Sequence, residues 1–236
     1  MTKTLPSTTV FRPLGYCAGV LGSVILIAGA ATHRVPMDLT EVLGFVTGGW
    51  GVWLTVKANI WNWPIGIANS AFYLVLFFQA RLFADMSLQV VHIVLGFLGW
   101  YWWMRGGESR TPLSVGRTRT RVALALVAIT LAATTGLTIF LTRVHDSAPF
   151  LDALTTVLSL VAQYLLTRKL IENWFVWITA DMIYIGLYAS RHLYLTSVLY
   201  AVFLAMCIAG VAQWRTSLRR SSSWSGRREA IDAVAV

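Results

Sequence analysis

The sequence predicts an all-α integral membrane protein of about eight transmembrane helices: one extra helix at the N-terminus, then a parallel repeat of three, one and three helices. Three observations predict it. Mean hydropathy is +0.66, with 57% hydrophobic and only 12% charged residues, about half the charge of an ordinary soluble domain, so the chain has too little polar surface to cover itself in water. Eight apolar stretches each approach the roughly 20 residues that a helix needs to cross hydrocarbon. The chain also repeats itself: Asn62-Trp63 returns as Asn173-Trp174, 111 residues later, and the same offset pairs Ile67 with Ile178, Tyr73 with Tyr184, Leu88 with Leu199, Gly99 with Gly210 and Trp103 with Trp214.

The stretches are residues 14–32, 39–56, 63–80, 87–104, 122–142, 150–167, 174–190 and 194–214. Helices are the open option for all of them, because lipid offers no water to satisfy backbone groups. Residues 1–37 hold the N-terminus and the extra helix. Its basic start and its small-residue end, Ala28-Gly29-Ala30-Ala31, resemble a signal peptide. At about 19 residues the run is longer than a usual signal core, so retention is the expected outcome. The repeat maps the three helices of 38–104 onto those of 149–214. Residues 105–148 are then a basic loop and a linker helix, and 215–236 a basic tail. Equivalent helices lie an even number of crossings apart, so the two halves point the same way. Both the tail and the segment 105–121 are rich in Arg with little to bury, and the expectation is disorder, with contact to anionic lipid.

Orientation follows from charge. Fifteen of the 19 Lys and Arg fall on the side that holds both termini and the connections after the second, fourth and sixth stretches. Only Arg34, Arg81, Arg143 and Arg191 fall on the other. Excess Lys and Arg mark the cytoplasmic side, so both termini are expected in the cytoplasm. The net charge of +9 is thus a topology signal, and nucleic acid is not an expected partner; the bilayer is.

Cys17 and Cys207 lie inside apolar stretches at no metal or redox spacing, and read as small buried residues. There is no Walker A sequence and no glycine-rich phosphate loop after a strand, so ATP-driven pumping by this chain alone is not expected. No cofactor is expected. An internal repeat in an apolar chain is the usual construction of a transporter, with substrate held between the halves.

Chemistry must then come from polar groups within the membrane, where charges are expensive and face a cavity or a partner. Asn173, Trp177, Asp181, Tyr184 and Tyr188 are spaced by four, four, three and four, forming one stripe of a helix, with Trp174 beside it. Asp181 lies about twelve residues past Lys169, near the midplane at roughly 1.5 Å per residue. The equivalent stripe in the first half includes Tyr73, with Asn69 adjacent, and Gln89 on the next helix adds an amide. Indole faces, amides and one carboxylate suit a flat, polar ring with hydroxyls, and a cationic one in particular. Each also has a packing reading: Trp63 and Trp174 as interfacial anchors, Gln89 and Asn69 as interhelical hydrogen bonds, Asp181 as a partner of a neighbouring helix. His92 reads as packed and neutral, and Glu41 and Asp152 as solvated helix ends.

Trp61-Asn62-Trp63-Pro64-Ile65-Gly66, Leu82-Phe83-Ala84-Asp85 with Leu88-Gln89, Gly99-Trp100-Tyr101-Trp102-Trp103, and Arg168-Lys169 with Glu172-Asn173-Trp174-Phe175-Val176-Trp177 together resemble the signatures of PnuC-type vitamin transporters over about residues 38 to 215. The resemblance implies a full-length SWEET-like fold in the bacterial inner membrane. It also implies uptake of nicotinamide riboside by facilitated diffusion, and trapping by a cytosolic kinase. Homo-oligomers, trimers above all, are implied as well. It places Trp174, Trp177, Asn173 and Gln89 around the vitamin. Some relatives carry Asn where this chain has Asp181, which leaves thiamine, riboflavin or a deoxynucleoside open as substrate. A membrane enzyme would need a convergent acid–base or metal set at one depth, and a receptor an output domain; neither is legible.

Overall fold

In a computed structural model the chain forms eight α-helices among the described residues: α1 Phe11–Ala31, α2 Leu39–Val56, α3 Asn62–Gln79, α4 Phe83–Arg105, α5 Thr120–Arg143, α6 Pro149–Thr167, α7 Asn173–Ser190 and α8 Tyr194–Val234. The structure describes residues 11–32, 34, 39–79, 81, 83–145, 148–192 and 194–234, excluding the side chains of 11–18, 39–41, 83–84, 195–196 and 221–234. Lys3 and the side chains of Cys17 and Glu41 therefore lie outside the description. Two compact units divide the chain at Gly49. The first holds α1 and the start of α2. The second, from Trp50 onward, holds everything that follows.

Helices Thr120–Arg143, Pro149–Thr167 and the segment Ser197–Arg220 are long and apolar enough to cross a membrane. α3 and α7 carry the Asn, Ser and Asp residues of the two stripes, which lowers their hydropathy without shortening them. In the second unit α3 packs on α4, α5 on α6, α6 on α7, α7 on α8, and α4 on α6. α5 buries only Thr134 among its residues, so most of its apolar surface, Leu124, Val127, Leu131 and Phe140 included, faces outward, as a lipid-facing helix should.

The turns that end α2 and α6 are built alike, 111 residues apart. Ala58 and Lys169 both take left-handed backbone, at φ 50 and 54°. Ala58 N donates to Thr55 O and Asn59 N to Leu54 O; Lys169 N donates to Leu166 O and Leu170 N to Leu165 O, all at 2.8–2.9 Å. This is the Schellman pairing, which satisfies the last carbonyls of a helix and stops it. Pro64 falls in the first turn of α3, where a missing N–H costs nothing. Arg81 and His192 repeat the left-handed stop after α3 and α7, at φ 59 and 60°.

The segment between α4 and α5 departs from the expected disorder. Gly116 bridges Leu170 in parallel, through Gly116 N to Lys169 O at 3.1 Å and Ile171 N to Gly116 O at 3.0 Å. Thr118 donates to the Glu172 carboxylate from its backbone N, at 2.9 Å, and from its hydroxyl, at 2.7 Å. Val115 is buried in the same place. The tail departs too, since α8 runs unbroken to Val234. A helix already nucleated in the membrane gains one hydrogen bond for each residue it adds, and composition alone does not register that.

Candidate functional site

The core of the second unit is a row of four indoles. Trp63 meets Trp103 edge to face at 5.4 Å, Trp103 meets Trp214 at 6.0 Å, and Trp214 meets Trp174 edge to face at 5.4 Å. The outer two lie flat against glycine. A Cβ on Gly99 would stand 2.2 Å from the Trp63 ring, and one on Gly210 would stand 2.5 Å from the Trp174 ring. The recurring Gly and Trp of the sequence are thus two halves of the same close approach. Trp103 Nε1 donates to Leu166 O at 3.0 Å, and Trp214 Nε1 donates to Thr55 O at 3.1 Å.

Asn173 and Trp174, which open α7, belong to this layer. Asn173 is fully buried and Trp174 is 1% exposed. Asn173 Nδ2 donates to Leu170 O at 2.6 Å. Its Oδ1 and the Trp174 Nε1 have no hydrogen-bond partner among the described residues, and neither do Asn62 Oδ1 and Trp63 Nε1 in the other half. Trp177, one turn further along α7, is only half-buried and packs against the buried cluster that holds the four indoles. Lys169 lies over the Trp103 ring at 4.3 Å, and its Nζ donates to Leu113 O at 2.8 Å. Burial pulls its ammonium group below the ordinary lysine range.

Beyond Trp177 the stripe turns polar. Asp181 is 5% exposed, and Cys207 Sγ on α8 donates to its Oδ2 at 3.5 Å. That thiol, itself 4% exposed, is a weak donor, so the carboxyl is buried with little to hold its charge. Helices α6 and α8 pack on α7. The basic residues nearest Asp181 along α7 are Lys169 before the helix and Arg191 after it. Further out, Tyr184 stacks on Tyr188 at 5.9 Å, and Tyr200 of α8 closes the group at 4.6 Å from Tyr184 and 5.4 Å from Tyr188.

The first half holds a plainer counterpart. Tyr73 stacks on Phe77 at 5.7 Å, at the positions equivalent to Tyr184 and Tyr188. Gln89, half-buried on α4, stands where the second half has Tyr200; Asn69, half-buried on α3, adjoins Ser70, the mate of Asp181. The structure thus gathers Trp177, Asp181, Tyr184 and Tyr188 on α7 against α8, and keeps Asn69, Tyr73 and Gln89 on the α3–α4 pair. Tyr200 and Cys207 join the polar face without having stood out in the sequence. Tyr200 is the repeat mate of Gln89, which was the available signal. Cys207 is buried as expected, but as a thiol on a carboxylate rather than an inert apolar residue.

Residues 38–216 match the family described as nicotinamide mononucleotide transporter. The chain is 28% identical to the nicotinamide riboside transporter PnuC of Escherichia coli, over 78% of this chain and 87% of the relative. It is 26% identical to the riboflavin/roseoflavin transporter RibM of Streptomyces davaonensis, over 80% and 89% respectively. Its fold is similar to a crystal structure of the vitamin B3 transporter PnuC, with a TM-score of 0.65 at 23% identity, covering 92% of this chain and 95% of the other.

Proposed function

Because the chain belongs to the nicotinamide mononucleotide transporter family, that of the PnuC vitamin transporters, we propose that it carries nicotinamide riboside across the bacterial inner membrane by facilitated diffusion. The observation that carries the choice of substrate is Asp181, a buried carboxylate at mid-helix whose side-chain hydrogen-bond partner among the described residues is a thiol. A charge so placed is costly unless a cation answers it, and nicotinamide riboside brings a fixed pyridinium charge with ribose hydroxyls.

In this reading the vitamin lies between the α3–α4 and α7–α8 pairs. Trp177 offers the stacking face, with Trp174 behind it. Gln89 and a neighbouring Asn, Asn69 or Asn173, hold the carboxamide. Asp181 answers the ring charge or the ribose, and Tyr184, Tyr188 and Tyr73 line the outer approach. The two halves form a SWEET-like three-one-three repeat and rock about the site to alternate access. A cytosolic kinase that phosphorylates the product keeps the inward gradient steep. A second reading, riboflavin, is favoured by the similarity to the Streptomyces riboflavin transporter.

Uptake of labelled nicotinamide riboside into vesicles holding the purified protein tests the substrate. Unlabelled nicotinamide riboside should compete best, ahead of thiamine and riboflavin; preferential competition by riboflavin would replace the first reading with the second. The charge split also supports both termini in the cytoplasm. A reporter active only outside the membrane, fused after Val236, should be silent, and strong activity there would reverse the orientation.

A further inference from the structure

The two indole hydrogen bonds of the core are one bond made twice. Trp103 and Trp214 are 111 residues apart, and so are the carbonyls they reach, those of Thr55 and Leu166. Each tryptophan sits on the third helix of one half and donates to the last turn of the first helix of the other, at 3.0 and 3.1 Å. Their rings touch at 6.0 Å. Both target carbonyls already accept the N–H of the left-handed residue that ends the helix, Ala58 or Lys169. The exchange is therefore reciprocal, and it lies wholly at the basic end of the bundle, beside Lys57, Arg168 and Lys169.

A strap reinforces it on one side. Leu113 N donates to Trp103 O at 3.0 Å, and Leu113 O accepts from Lys169 Nζ at 2.8 Å. The α4–α5 segment is thereby tied to α4 of the first half and, through Gly116 and Thr118, to the α6–α7 turn of the second. The first half has Ala58 in place of Lys169 and no equivalent segment, because the linker occurs once.

We propose that this reciprocal tryptophan clasp is the gate at the basic end of the carrier, closed in the present structure, and that opening releases both indole bonds together. Either half can swing from the other at this end only by parting Trp103 from Leu166 and Trp214 from Thr55. Packed interfaces of this kind switch between discrete arrangements rather than stretching. The inference rests on the carrier reading above, but its test needs no ligand.

Hydrogen exchange of the full chain in lipid nanodiscs reads the opening directly, because backbone N–H groups of the two turns, 58–63 and 169–174, exchange when the gate opens. Trp103→Phe and Trp214→Phe keep an aromatic ring, though a smaller one, and remove one donor each. Loss of the hydrogen bond together with the smaller ring should raise exchange roughly fivefold or more, and in both turns for either variant. Trp103→Phe should thus loosen the amides of Ala58 and Asn59, which neither its lost bond to Leu166 nor its ring contact with Trp63 involves. Thr118→Val, outside the indole row, removes one bond of the strap and should raise exchange in the same two turns by about twofold. Exchange that rises only in the turn facing the lost donor, or in neither, would overturn the gate and leave the indoles as packing. A chain that loosens in concert yet moves no nicotinamide riboside would keep the clasp and lose the proposed substrate.

Discussion

Asp181→Asn should weaken binding of nicotinamide riboside on the order of thirtyfold or more, and leave a neutral analogue with the same hydroxyls much less affected. Removing one member of a buried charge pair costs about 2–5 kcal/mol, whereas Asn still accepts and donates the hydrogen bonds that a ribose needs. The side chain is buried on α7 and hydrogen-bonded by the neutral Cys207 thiol of α8. The measurement is the affinity of both proteins for both ligands at neutral pH. Equal weakening of the two ligands would assign Asp181 to ribose alone. No weakening of either would return it to helix packing.

Trp177→Ala should cost about 1–3 kcal/mol of vitamin binding, five- to a hundredfold in affinity, because a flat ring loses one stacked face. Trp174→Ala should behave differently. Its ring is 1% exposed, lies on Gly210 and meets Trp214, so truncation opens a hole in the core and destabilises the fold by about 3–5 kcal/mol. Calorimetry separates ligand affinity from thermal stability. Unchanged affinity in a stable Trp177→Ala protein would make that ring a packing residue as well.

The division between what the sequence disclosed and what it hid has physical causes. The 111-residue offset marked Gly99 with Gly210 and Trp63 with Trp174 because close packing fixes residue size at a spacing; it did not mark the left-handed turns at Ala58 and Lys169, whose residue types differ. Helix bounds differed by little where an apolar run ends in a turn, as in α3 and α7. They differed most where polar sequence continues a helix: α4 begins at Phe83, a turn before the expected 87, and α8 runs on to Val234. The docked segment before α5 was illegible because it is held through backbone groups, Lys169 and Glu172, none of which alters its own composition. In the candidate site, charge, amide and aromatic spacing marked Asp181, Trp177 and the tyrosines. Depth set Trp177 beyond Trp174 but did not mark Trp174 as a core residue, because that depends on Gly210 and Trp214, both on another helix. Cys207 gave no signal at all, since its role depends on a carboxylate one helix away.

Counterflow in sealed vesicles addresses the central claim most directly. Liposomes holding the purified protein and loaded with unlabelled nicotinamide riboside should draw in labelled vitamin with no ion gradient, and unloaded ones should fill no higher than the outside concentration. Accumulation above that level, driven by a proton or sodium gradient with no trapping kinase present, would contradict facilitated diffusion.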